Sequence, residues 1–187
     1  MTQVRWWGTG TVALALLVLC SVPPLLDRAL GSGGRRLAPG TVVSIGTAQN
    51  GVRPVTVTVL RAGWVLSEAD TSLTSNAKLL SDDVVFNLSV VVPLSSLDAR
   101  KLWDGLGRIV AAGGRARLAT APVPVITAHG MTGLTGRIIG RDRAGVAAVF
   151  ATDTLGATVT AAGPPPAFRE AAAEVEAMAR TVTVTAP

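Results

Sequence analysis

The chain has no tyrosine, one cysteine, one histidine and two lysines in 187 residues, and only 16% of it is charged. Each scarcity removes a class of function. Cys20 lies in an apolar run, so the rest of the chain can form no disulfide and offers no thiolate. That composition suits either side of a membrane. A zinc centre draws several ligands from His and Cys, and only His129 stands beyond residue 20. Single-stranded nucleic acid wants a basic groove with aromatic platforms. After residue 40 the aromatics are only Trp64, Phe86, Trp103, Phe150 and Phe168, so no nucleic-acid partner is expected. There is no Gly-x-Ser-x-Gly elbow and no phosphate-cradling glycine loop. No catalytic, cofactor-binding or metal residue is assigned from the sequence, and no cofactor is expected.

What the chain does have is a run of 21 uncharged residues, Trp6 to Leu26, between Arg5 and Asp27. An α-helix needs roughly 20 apolar residues to cross a hydrocarbon core. Read as an uncleaved single-pass anchor, the run places Trp6 and Trp7 at the headgroups and Val12–Cys20 in the core. Pro23 and Pro24 then fall near the far interface, where a helix can end. A cleaved signal peptide is the next reading, with Arg5 as n-region and Val12–Leu19 as h-region. Its cleavage site is poor, because Leu19 would stand where a small residue is wanted. A lipid-modified Cys20 ranks last, since Leu19 again precedes it. Arg28, Arg35 and Arg36 follow the run, and by charge alone they lean towards a cytoplasmic C-terminal part. The charged-then-apolar layout is that of an export signal and points the other way. The expectation is a cell-membrane protein, single-pass, with its C-terminal domain outside the cytoplasm.

The net charge of +5 is mostly juxtamembrane. Residues 1–40 carry four arginines against Asp27, whereas residues 41–187 carry 13 basic and 11 acidic side chains. Attraction to lipid headgroups accounts for such an excess. Arginine outnumbers lysine 15 to 2, a bias associated with high-GC bacterial genomes. The expected organisation is a short cytoplasmic tail (1–5), the anchor (6–26), a flexible basic linker (27–40) and one α+β domain (41–187). Within the linker, Gly31–Arg36 has the composition of a wet, slack tether.

The domain begins with Val55–Leu60, which alternates apolar and β-branched polar residues as a half-buried strand does. Arg61–Gly63 turns the chain and Trp64 follows. Thr71–Asp83 is polar and reads as loop. Val84–Val92 is the strongest strand, ended by Pro93. Ser95–Asp98 has the pattern of a capping box. Leu102, Trp103, Leu106, Ile109 and Val110 then share one helical face, and Gly113-Gly114 ends the helix. Ala121–Pro124 suggests an extended edge segment. A meander of strands near 134–139, 146–151 and 157–162 follows, with turn residues between them. Pro164–Pro166 opens a last helix, whose apolar face is Phe168, Ala171, Ala172, Val175 and Met178. Thr181–Thr185 can add a final strand. Strands, helix, meander, helix is the order of a sheet with helices packed over it.

Val55–Leu60 running into Gly63-Trp64, Val84–Val92 running into the helix Ser95–Ala112, and the meander feeding the helix Ala167–Arg180 resemble the PsbP-like fold. That fold is an α/β/α sandwich with an antiparallel sheet, found in bacterial exported and membrane-anchored proteins. The resemblance spans residues 41–187. It carries over no active residue and implies a binding or accessory role.

Four groups have chemistry to weigh. His129, before Gly130 on a loop, could serve as a base or ligand, but a lone loop histidine is more often solvated. Asp82-Asp83 could hold Ca²⁺, with a solvated strand entry as the preferred reading, and Asp142 and Asp153 are the other acidic residues of note. Trp64 could stack on a sugar or lipid head, and Trp103 sits on the apolar helix face; for both, core packing is preferred. The expected function is a non-catalytic, membrane-anchored, extracytoplasmic binding domain. Its partners would be membrane lipid through the N-terminal helix and an envelope protein, lipid or glycan through the domain. The alternatives are an envelope hydrolase using His129, or a structural subunit whose Gly8, Gly10, Ala13 and Ala15 line a helix contact in a membrane complex.

Overall fold

A computed structural model describes residues 34–93, 98–119 and 121–185. The run Trp6–Leu26 lies outside these residues, and so do Ser95 and Ser96 of the expected capping box. No described helix is long and apolar enough to cross a membrane.

The frame is an antiparallel sheet. Its order is β1 (Gly34–Arg36), β4 (Val65–Ser67), β5 (Asn76–Ser81), β6 (Val84–Val91), β11 (Gly156–Gly163), β10 (Ala144–Ala151), β9 (Thr132–Gly140) and β7 (Ala116–Leu118). A further strand, β8 (Val123–Ile126), pairs with the start of β9, alongside β7 on the same edge. β10 shows why both faces of the sheet are covered. Its alternating side chains point opposite ways, yet Ala147 and Val149 are as buried as Ala148 and Phe150.

Helix α1 (Ala99–Ala112) covers the first face with Leu102, Trp103 and Leu106. Helix α2 (Pro165–Arg180) covers the second with Val175, Met178 and Ala179. Beside α2 lies a small sheet, ordered β12 (Thr183–Val184), β3 (Val55–Thr58) and β2 (Val42–Ile45). The architecture is therefore α+β, with a mostly antiparallel sheet between two helical layers. The indole of Trp103 lies directly on β9 at Gly136. A Cβ there would stand 2.8 Å from the ring, so any larger residue would lift α1 from the sheet.

The structure corrects several expectations. Thr71–Asp83 is not all loop: β5 occupies Asn76–Ser81, with only Ala77 and Leu79 buried. Two buried residues, followed at once by Leu80 on the other face, make too short a period to read. Val55–Thr58 belongs to the small sheet, not to the main one. The N-cap of α1 is Asp98, whose Oδ1 accepts the Lys101 N–H at 2.7 Å, so the helix starts later than a cap at Ser95 requires. Ile109, expected on the apolar face, is 72% exposed. Gly34–Arg36, expected to be slack, pairs with β4, and Leu37 behind it is buried. The three meander strands and the last helix stand where their periodicity placed them, with β9, β10 and β11 each somewhat longer.

Candidate binding cleft

The register fixes which loops meet. Asn76 pairs with Ser89, and Gly156 with Val91, so the start of β5, the end of β6 and the start of β11 share one end of the sheet. The end of β10 and the start of β9 lie there too, since Phe150 pairs with Gly133. Three loops gather at this end: residues 46–54 between β2 and β3, 68–75 between β4 and β5, and 152–155 between β10 and β11.

Local chemistry shapes each loop. In the first, Gln49 and Val52 exchange backbone hydrogen bonds of 2.9 Å around Asn50-Gly51. Both turn residues have positive φ, 51° and 80°, which Asn and Gly accept at least cost. The Arg53 guanidinium ties this loop to the second. Its Nη1 donates to the Gly46 carbonyl at 2.6 Å and to the Leu73 carbonyl at 2.9 Å. In the third, the Thr152 hydroxyl donates to the Leu155 carbonyl and accepts the Leu155 N–H, closing a tight turn.

Between the loops lies a cleft of about 650 Å³. Val52, Pro54, Val90, Val92 and Leu155 supply its apolar wall. Thr47, Gln49, Asn50, Thr74, Thr154 and Thr185 supply hydroxyl and amide groups at its margin, and no charged side chain lines it. Val52 and Val92 stand open to solvent at 66% and 73%. A concave apolar surface with a few convergent neutral polar groups is the form of a ligand site. It suits an uncharged or apolar ligand, because an ionised group there would lose water and gain no counter-charge. The Asn50-Gly51 dipeptide was the one sequence signal for this site, and it passed unread because no strong alternation flanks it on its N-terminal side.

The residues singled out for chemistry do not assemble. His129 is exposed at the tip of the loop 127–131, and its ring has no hydrogen-bond or ion-pair partner among the described residues. Asp82 and Asp83 form the two-residue turn between β5 and β6, at the opposite end of the sheet from the cleft. Asp142 and Asp153 are exposed beyond opposite ends of β10. Among the described residues, no three His, Cys, Asp or Glu side chains converge on a common point.

Trp64 and Trp103 are both core residues, 1% and 4% exposed. Trp64 meets Phe86 edge-on, with ring centroids 6.0 Å apart. Its Nε1 donates to Glu174 Oε1 at 2.9 Å, which satisfies the one polar atom of a buried indole. The Asp70 carboxyl is held below the usual carboxylate range, first by a hydrogen bond from Lys78 and then by one from Ser67.

A second, smaller depression of about 480 Å³ lies on the α2 face, between that helix and the strands β8, β9 and β10. Val125, Val146 and Ala148 form its floor, and Glu176 and Arg180 its helical rim.

No family model and no curated protein matches the chain. Among solved structures, the chain is similar to the solution structure of cyanobacterial PsbP (CyanoP) from Synechocystis sp. PCC 6803. The TM-score is 0.54 at 13% identity, and the match covers 83% of this chain and 99% of that one. The fold is PsbP-like. At this identity the likeness extends to architecture only. The PsbP-like frame gathers these three loops with the end of β6 and Thr185, and the cleft is built from them.

Proposed function

We propose that this protein is a non-catalytic accessory domain, held at a membrane by residues 6–26, that binds an envelope partner outside the cytoplasm. The observation that carries the binding role is the uncharged, apolar-walled cleft at one end of a PsbP-like sheet. The isolation of His129 favours binding over hydrolysis, because a general base must stand within hydrogen-bond reach of the group that it activates. The entry of the chain sets where such an anchor would act. Gly34 pairs with Ser67, and Ser67 leads into the loop 68–75, so the chain enters the sheet at the cleft end. An anchor at residues 6–26 would then hold the domain by the same end that carries the cleft.

Photo-crosslinking in intact cells tests the binding role. A photoreactive residue at Val92 should give a discrete crosslinked product that is absent when the same residue replaces Arg141. Matching patterns at both positions, or none at Val92, would count against the cleft. Sidedness is tested by a cysteine at Ser32 in a Cys20→Ser background. A membrane-impermeant thiol reagent should label it on intact cells. Labelling only after lysis would place the domain in the cytoplasm.

A further inference from the structure

We infer that the groove beside α2 is a docking site for an extended acidic peptide segment of a partner protein. The inference rests on the binding-domain reading and assigns that domain a second surface, distinct from the uncharged cleft.

The register of the sheet places the charges. Arg137 pairs with Val146, and Arg117 pairs with Ile139 two residues further along β9. Paired residues share a face, and so do residues two apart on a strand. Arg117, Arg137 and Ile139 therefore lie on the same face as Val146 and Ala148, the face that α2 covers only in part. Arg137 and Ile139 are exposed there. On the helix, Arg169, Glu176 and Arg180 are spaced i, i+7 and i+11, which puts them on one flank. Glu176 and Arg180 line the groove, so that flank faces it.

Arg180 and Glu176 line the groove itself, and by register and helical spacing Arg137, Arg117 and Arg169 flank its apolar floor. None of the four arginines is paired with a carboxylate among the described residues. In a domain that otherwise nearly balances its charges, this is a local positive excess beside apolar surface. Guanidinium groups bind carboxylates in fixed, bidentate geometry.

The shape selects a peptide. From Ile139 to Gly133 this face of β9 runs for six steps, roughly 20 Å at about 3.3 Å each, and Thr135 on it lines the groove. An extended chain laid along it turns alternate side chains to the floor and to the rim. Acidic residues alternating with apolar ones would therefore meet the arginines and the floor in step. An anionic headgroup would engage one or two arginines and leave the rest of the groove empty.

The test uses the full chain in nanodiscs of neutral phosphatidylcholine. The probe is a fluorescent octapeptide of alternating glutamate and leucine, followed by anisotropy. Saturable binding is expected. Arg117→Glu with Arg137→Glu should weaken it about tenfold, and added salt should weaken it in the wild type. Arg141→Glu with Arg143→Glu, in the β9–β10 turn, should leave it within about twofold. Circular dichroism melts of both double variants establish that they fold.

Equal binding of a glutamine–leucine peptide would overturn the proposal, as would equal weakening by the two double variants or wild-type binding by the first. Vesicles of equimolar phosphatidylglycerol and phosphatidylcholine supply the other arm. If the first double variant loses vesicle association and keeps the peptide, the groove serves lipid and the proposal fails. A failed groove with an intact Val92 crosslink would leave the binding-domain reading standing. Loss of both would remove it.

Discussion

Replacing Trp64 by alanine should cost about 3–5 kcal/mol of folding stability, the range for a buried large aromatic. The geometry sets that figure. The indole is 1% exposed, so nearly all its apolar surface is withdrawn from water. Its edge contact with Phe86 contributes about 0.5–1.5 kcal/mol beyond area burial. Its N–H bond to Glu174 adds on the order of 1 kcal/mol, since Glu174 is half-buried and can recover water when the donor is lost. Trp64→Phe keeps most of the ring and loses the donor, so it should cost less, about 1–2 kcal/mol. A double-mutant cycle with Glu174→Ala isolates the hydrogen bond, with an expected coupling near 1 kcal/mol. The assay is urea denaturation of the full chain in detergent micelles, followed by far-ultraviolet circular dichroism. A loss under about 0.5 kcal/mol for Trp64→Ala would refute the reasoning. Such a result, joined to lost partner binding, would make Trp64 an exposed binding residue.

Three further outcomes follow from the same packing. Gly105→Ala and Gly107→Ala should each stabilise α1 by about 0.5–1 kcal/mol. A methyl at either site meets nothing closer than 3.8 Å, so thermal melts should rise; a fall would mean that the helix cannot accept the added carbon. A chain beginning at Gly34 should melt cooperatively, and one beginning at Thr41 should be about 2–3 kcal/mol less stable. The shorter chain lacks β1 and the buried Leu37, whose N–H bonds to the Trp64 carbonyl at 2.9 Å. Coincident melts would show that residues 34–40 add nothing. The Asp70 carboxyl should titrate below an ordinary aspartate by NMR and move back up in Lys78→Met. Because its folded pKa is depressed, its contribution to stability is present above the unfolded value and is lost as pH falls through the folded one. An unchanged titration in Lys78→Met would remove Lys78 as the cause.

Much of the fold was legible because its strongest elements are periodic on their own. Val84 to Val91 alternates clearly enough to announce a strand, and Leu102, Trp103 and Leu106 announce a helix face. Pro164–Pro166 and the small turn residues punctuate the second half. These are local properties: dihedral preference, side-chain spacing and the cost of exposing apolar surface. They sufficed for an α+β chain of PsbP-like order.

The sequence said nothing of β1, β4 or β7, each only three residues long. A three-residue strand carries no period, and it forms because a distant partner supplies its hydrogen bonds. β5 was hidden because only Ala77 and Leu79 of its six residues are buried. Both candidate surfaces were invisible too. The cleft draws on residues from Thr47 to Thr185, and the groove on residues from Val123 to Arg180. In sequence these are scattered threonines, valines and arginines of no evident pattern. Only strand register and helix placement bring them to common faces, because pairing across the sheet depends on the whole set of apolar contacts and not on any one segment.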